Sequence, residues 1–113
     1  MQLNIGKIGD VTVVAVQDEH LDASVTEEFK RDMAPVLEDN AKVVLDMSWL
    51  QFVDSAGLGA ILSCLRKLGA MNGDLKLCGL TKPVRSMFEM ARMHRIFDIF
   101  PTCEEAVQAF QSG

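Results

Sequence analysis

Residues 43–59 constrain this chain more than any other stretch. Val43-Val44-Leu45-Asp46-Met47 is short and β-branched-rich, and Ser48-Trp49-Leu50-Gln51-Phe52-Val53 forms an apolar loop. Asp54-Ser55-Ala56-Gly57-Leu58-Gly59 then opens a segment with apolar residues at helical spacing. The pattern is a strand buried on both faces, a loop, and a helix. Such a junction points free backbone N–H groups outward at the positive end of the helix dipole. Asp54 or Ser55 can cap the helix, since either side chain accepts from a first-turn N–H. Gly57 and Gly59 each cost about 1 kcal/mol relative to alanine inside a helix. Bare backbone at this point implies close packing against a neighbouring element, or close approach by a partner or a phosphate.

The flanking sequence alternates between strand and helix patterns. Leu3-Ile5-Lys7 and Val11-Val13-Ala15 flank Gly9-Asp10 as a hairpin. Gln17 to Asp22 reads as a polar loop. Ser24-Val25-Thr26-Glu27 has capping-box spacing for a helix carrying Val25, Phe29, Met33 and Leu37, with Pro35 set to kink or shorten its last turn. Leu58, Ile61, Leu62, Leu65 and Leu68 form the apolar face of the next helix, which Gly69 and Asn72-Gly73 end. Leu75 to Gly79 is a strand. Thr81-Lys82-Pro83 opens a helix that buries Val84, Met87, Phe88 and Ala91. Residues 96–100 make a last strand, and Thr102-Cys103-Glu104-Glu105 caps a final helix. The resulting order, β-β-α-β-α-β-α-β-α, predicts an α/β fold with a mostly parallel central sheet.

At 113 residues, the chain has room for one core, so residues 1–113 are read as a single domain. A net charge of −5 argues against nucleic acid, whose phosphates would repel it, and suits a basic surface on another protein. The first residues lack the pattern of a signal peptide, and no apolar run reaches the roughly 20 residues of a membrane span. Cys64, Cys78 and Cys103 are far apart and odd in number, so they read as reduced thiols in a cytoplasmic protein. Neither they nor the distant His20 and His94 have metal-ligand spacing. No cofactor motif, Walker-type loop or catalytic constellation is present, so the chain is expected to be a substrate and binding module rather than an enzyme, with no cofactor and no metal.

Asp54-Ser55-Ala56-Gly57-Leu58-Gly59 resembles the signature of the bacterial anti-sigma-factor antagonists of the STAS-domain family. The similarity continues through Leu21-Asp22, Gly73-Asp74-Leu75-Lys76-Leu77-Cys78 and Val84-Arg85-Ser86-Met87-Phe88, over nearly the whole chain. The resemblance implies that Ser55 is the phosphoacceptor. The family's usual second hydroxyl is replaced by Ala56, which leaves Ser55 alone in the motif. It further implies that Asp22 and Asp54, with Ser55, Gly57 and Gly59, meet a serine kinase that is also an anti-sigma factor. Phosphorylation would end that contact and a serine phosphatase would restore it, in a partner-switching circuit run by a monomer that touches no membrane. A phosphoserine, with about −1.5 to −2 charges, is tolerated at a helix N-terminus.

Plain readings stand beside these. Ser55 also reads as an ordinary cap, Asp22 as a solvated carboxylate, and Asp18 and Glu19 as an extension of an acidic rim. Lys82, Arg85, Arg92 and Arg95 read as solvated surface, Trp49 as a core anchor, and the methionines mostly as core filler. At Gly57 and Gly59 the expectation is that Gly57 lies nearer the partner and Gly59 nearer the sheet. A constitutive STAS adaptor in a lipid-transport or envelope assembly, never phosphorylated, is the main alternative function. A small-molecule-binding STAS domain and a response-regulator receiver fit less well, because the hairpin start and the position of Lys82-Pro83 depart from a receiver's order.

Overall fold

The computed structural model describes residues 1–112. Strands β1 (Leu3–Ile8) and β2 (Val11–Val16) form the expected hairpin about Gly9-Asp10. After a two-residue strand, β3 (His20–Leu21), come α1 (Thr26–Asp39), β4 (Lys42–Asp46), a second two-residue strand β5 (Phe52–Val53) and α2 (Ser55–Ala70). The chain finishes with β6 (Asp74–Cys78), α3 (Lys82–Met90), a 3-10 turn (Met93–Arg95), β7 (Asp98–Phe100) and α4 (Cys103–Gln111). The main sheet runs β1-β2-β4-β6-β7, antiparallel in the hairpin and parallel elsewhere. The α/β class and the mostly parallel sheet are those the sequence predicts.

Successive residues of a strand face opposite sides of a sheet, and β4 shows the consequence directly. Val43 and Leu45 enter the larger core with Phe29, Met33, Ile61, Leu68 and Phe88, whereas Val44 enters a smaller one with Val11, Cys78, Ala106 and Val107. The helices α1, α2 and α3 thus supply the large core and α4 covers the other face. The edge of that thinner face is closed by Lys76, whose Nζ lies 2.9 Å from Asp98 Oδ2, 3.2 Å from Asp74 Oδ2 and 4.7 Å above the Phe110 ring. Burial pulls the Lys76 pKa down, but the hydrogen bonds to Asp98 and Asp74, with their charge, outweigh it and hold the group above its ordinary value.

Several local expectations are corrected. The capping box does not form: α1 begins at Thr26, its N-cap is Val25 without a side-chain bond, and the Ser24 hydroxyl and N–H both donate to Asp22 Oδ1 instead. An aspartate two residues upstream captures the serine in an Asx-type turn before the helix can use it. Pro35 neither ends nor shortens α1, which runs on to Asp39 because Val36 and Leu37 are buried just beyond it. Asn40 closes the helix by donating from Nδ2 to the Val36 carbonyl, and its Oδ1 accepts from the buried Thr12 hydroxyl at 2.7 Å. Ala91 lies outside α3 and is exposed, and residues 96 and 97 precede the last strand. Met90 is 80% exposed, so that methionine fills no core.

The reading of three reduced thiols is also overturned. Cys78 ends β6 and Cys103 begins α4, and the short β7 brings the two Cα atoms to 5.1 Å, joined as a disulfide across 25 residues of sequence. Sequence separation is a poor guide here because a parallel strand and the next helix return the chain to the same end of the sheet. Cys64 remains free and buried on α2, and burial pushes its thiol up to about 11. No helix among the described residues is long and apolar enough to cross a membrane.

Pro35 is itself exposed inside α1, where it removes an N–H that would bond the Arg31 carbonyl. Pro35→Ala should therefore raise stability by about 1–2 kcal/mol, after allowance for the greater freedom of the unfolded chain. Urea unfolding should show a higher midpoint with an unchanged slope. A lower midpoint would mean that the ring makes packing contacts worth more than the missing hydrogen bond.

Candidate functional site

The parallel strands β2, β4, β6 and β7 all deliver their following loops to one end of the sheet. Two of these loops, residues 17–25 and 47–54, are joined by a second sheet that the sequence reading missed. There β3 pairs in parallel with β5, aligning His20 with Phe52 and Leu21 with Val53. The Gln51 and Phe52 N–H groups also donate to the Glu19 carbonyl, at 2.8 and 3.1 Å. Leu21 and Val53 are fully buried and hold this small sheet onto the core. The only sequence cue was a pair of apolar residues within otherwise polar or irregular segments, and two-residue strands are too short to show alternation.

Asp54 is the cap of α2, which settles the choice left open between it and Ser55. Its Oδ1 accepts from the Gly57 N–H at 2.8 Å, and its Oδ2 accepts from the Ala23 N–H at 3.0 Å. One carboxylate therefore closes the helix N-terminus and ties it to the neighbouring loop, so Asp54 and Asp22 are brought to the same end of the molecule. Ser55 follows as the first helical residue and is exposed, with no hydrogen bond to its hydroxyl among the described residues. It is presented to solvent rather than resting as a cap.

Asp22 is held rather than freely solvated. The Ser24 hydroxyl and backbone N–H donate to its Oδ1, and these bonds, with a smaller contribution from the charge of His20, keep its pKa below the ordinary carboxylate value. A shallow cleft of about 450 Å³ opens beside it, lined by Gln2, Asp18, Glu19, His20 and Ser24 among others. Asp18 turns toward the hairpin, where its Oδ1 accepts from the Gln2 N–H at 2.8 Å, so it belongs to this cleft more than to the helix terminus.

The two glycines have roles opposite to those expected from the sequence. A Cβ on Gly57 would collide with the Leu21 carbonyl oxygen and come within 2.9 Å of Val53 Cγ1. Gly57 is buried and lets α2 seat against β3. Gly59 is exposed, with nothing within 4 Å of where its Cβ would be. Helical geometry places residues i and i+2 on different faces, so two glycines so spaced cannot share one environment.

Apolar side chains also reach the surface here. Trp49 is 45% exposed and Phe52 46% exposed, so Trp49 is no core anchor; Met47, Leu50 and Val53 are the buried members of that loop. Phe52 stands edge-on to His20 with ring centroids 6.3 Å apart. An exposed hydroxyl, fixed carboxylates and exposed aromatic rings make a surface suited to recognition by another macromolecule.

The chain matches the model of the STAS domain over residues 2–106. A relative from Bordetella bronchiseptica, described as the putative anti-sigma factor antagonist BtrV, is 29% identical over 114 aligned positions, covering 100% of this chain and 97% of the relative. Among solved structures, an anti-sigma factor antagonist from Mycobacterium paratuberculosis superposes with a TM-score of 0.85 at 22% identity, covering 96% of this chain and 92% of that one. The Bacillus cell-fate determinant SpoIIAA has been solved in two forms. Its unphosphorylated form gives a TM-score of 0.80 at 20% identity, over 99% of this chain and 98% of that one. Its phosphorylated form gives 0.71 at 20% identity, over 96% and 99%.

The contrast between the glycines is measurable. Gly57→Ala should cost about 1–3 kcal/mol, because the backbone carbonyl it meets cannot rotate away. Gly59→Ala should be neutral or stabilising by up to about 1 kcal/mol. Urea unfolding of the two single variants decides it, and equal midpoints would remove Gly57 from the role of seating the helix. In the same assay Asp54→Ala should lose about 0.5–2 kcal/mol, since it removes the cap as well as the bond to Ala23.

Proposed function

The chain belongs to the STAS domain family, and on that footing we propose that it is an anti-sigma factor antagonist whose partner binding is controlled by phosphorylation of Ser55. The observation that carries this reading is the exposed, unengaged Ser55 hydroxyl at the first position of α2, beside the carboxylate that caps the helix. Full-length similarity to a relative described as an antagonist of the same kind supports it. The unphosphorylated form would dock its Asp22–Asp54–Ser55 face on a serine kinase that also holds a sigma factor, with exposed Gly59 available for close approach. Gly57, buried against Leu21, would shape the surface from beneath.

In the kinase complex, Ser55 Oγ would attack the γ-phosphorus of ATP as its proton passes to a base on the kinase. The Oγ–P bond forms, the bond to the β-phosphate oxygen breaks, and ADP leaves. This chain supplies the nucleophile and its orientation, and no catalytic group. The product bears about −1.5 to −2 charges next to the Asp54 carboxylate, on a chain already at −5. The α2 dipole favours negative charge at this end, so the fold tolerates the phosphate while a partner seated close to it does not. A serine phosphatase would return the hydroxyl and the binding-competent form.

Incubation with the cognate kinase and Mg-ATP should add one phosphate, lost completely in Ser55→Ala. Stoichiometric labelling of Ser48, Ser63 or Ser86 in that variant would overturn the assignment. The phosphorylated protein should bind the kinase at least several-fold more weakly by calorimetry, with Ser55→Asp showing a smaller loss and near-native stability. Kinase binding indifferent to phosphate would favour the constitutive adaptor.

A further inference from the structure

We propose that Cys78 and Cys103 form a reversible thiol-oxidation site, with hydroperoxides as its oxidant class, and that its state sets the mobility of residues 47–50. Cys103 is half-buried at the start of α4, and Cys78 is fully buried at the end of β6. Their backbones are already 5.1 Å apart at Cα, so closing or opening the bond needs no rearrangement of the sheet. Access makes Cys103 the attacking sulfur and Cys78 the resolving one. The Asp46 carboxylate lies within 4.8 Å of both sulfurs. The half-buried position of Cys103 favours a small peroxide over a bulky disulfide as the oxidant.

The chemistry balances without a metal. The Cys103 thiol loses its proton to solvent and the thiolate attacks a peroxide oxygen. The O–O bond breaks, the departing oxygen leaves as water or an alcohol, and Cys103 becomes a sulfenic acid. The Cys78 sulfur then attacks the Cys103 sulfur, the S–S bond forms, the S–O bond breaks, and water leaves. Two thiols have given up two electrons to one peroxide. Two equivalents of a small thiol reverse the change by exchange and leave as its disulfide.

A specific set of contacts links this bond to the loop that leads into Ser55. The Cys78 carbonyl accepts from the Met47 N–H at 3.0 Å. Gly79, at φ +72°, packs closely against this loop, since a Cβ there would be 3.2 Å from both Asp46 Oδ1 and Ser48 Cβ. The Ser48 N–H donates to that same Asp46 oxygen at 3.0 Å. Two residues further on, the Thr81 hydroxyl donates to the Leu50 carbonyl at 2.7 Å. The 47–50 loop, which seats Met47 and Leu50 in the core and leaves Trp49 exposed, is therefore also tied to residues 78–81. Fixing Cys78 to α4 restrains both segments together, and reduction frees them.

The test uses the full chain, reduced with a small thiol, freed of it, and titrated with hydrogen peroxide. Intact mass and differential alkylation should show a monomer that loses two hydrogen atoms. Cys78 and Cys103 should become protected together, Cys64 should stay unreactive until unfolding, and a small thiol should restore the starting state. Amide exchange of the Met47–Leu50 segment should slow on the order of tenfold in the oxidised form. Cys103→Ser should lose the mass change and the exchange difference while remaining folded. The proposal is overturned by a disulfide-linked dimer, by oxidation of Cys64 first, by exchange equal in both states, or by a bond that no small thiol opens in the folded protein. Stoichiometric zinc binding by the reduced form that shields both sulfurs from peroxide would also overturn it and make Asp46, Cys78 and Cys103 a metal site. None of these readouts involves a kinase, so they stand apart from the assignment of Ser55.

Discussion

The first turn of α2 lies against the backbone of β3, and the geometry of the candidate site depends on that close approach. Only a glycine at position 57 lets the helix reach the Leu21 carbonyl, and only a carboxylate at 54 can satisfy both the Gly57 and the Ala23 N–H groups. Without that carboxylate the Gly57 N–H would lose its partner, while the exposed Ala23 N–H would turn to water, for a total cost of about 0.5–2 kcal/mol. With α2 seated this way, its next residue is turned to solvent. The exposure of Ser55 is thus a consequence of how Asp54 and Gly57 are used, not an independent feature.

The sheet sets the larger frame. Its thick side, packed by α1, α2 and α3, absorbs most of the large apolar side chains, and its thin side depends on α4 alone. A single nine-residue helix buries little area, so that face is reinforced by other means. Lys76 spans Asp74 and Asp98 under the Phe110 ring, and Cys78 is bonded to the first residue of α4. Both reinforcements start from β6, the strand adjoining β4, and β4 leads into the loop before Ser55. The strand arrangement therefore places the Cys78–Cys103 bond and the loop before Ser55 at the same end of one sheet, although Ser55 and Cys78 are 23 positions apart in sequence.

The sequence carried the main elements because their patterns are long enough to count. A hairpin about Gly9-Asp10, the buried run at β4, the apolar stripe of α2 and the Thr102 cap of α4, whose hydroxyl accepts from the Glu105 N–H, all lie where their residues indicate. Three kinds of feature did not show. Short pairings such as β3 with β5 have no periodicity to read. Local competitions, such as Asp22 capturing Ser24 or α1 continuing past Pro35, turn on differences of about 1 kcal/mol that packing decides. The exposure of Trp49 and Phe52 depends on neighbouring elements, and an aromatic residue in an apolar loop reads equally well as anchor or as surface.

By itself, the sequence determined an α/β chain with a mostly parallel sheet, and it singled out Asp54-Ser55-Ala56-Gly57-Leu58-Gly59 as the place where bare backbone and a hydroxyl meet a helix start. Such conclusions need only composition and spacing along one element. The tertiary structure alone decided which of Asp54 and Ser55 caps the helix, which glycine is buried, and which cysteines are partners. Each depends on the distance between segments far apart in sequence. That distance is fixed by how the strands order themselves across the sheet, a property no local pattern encodes.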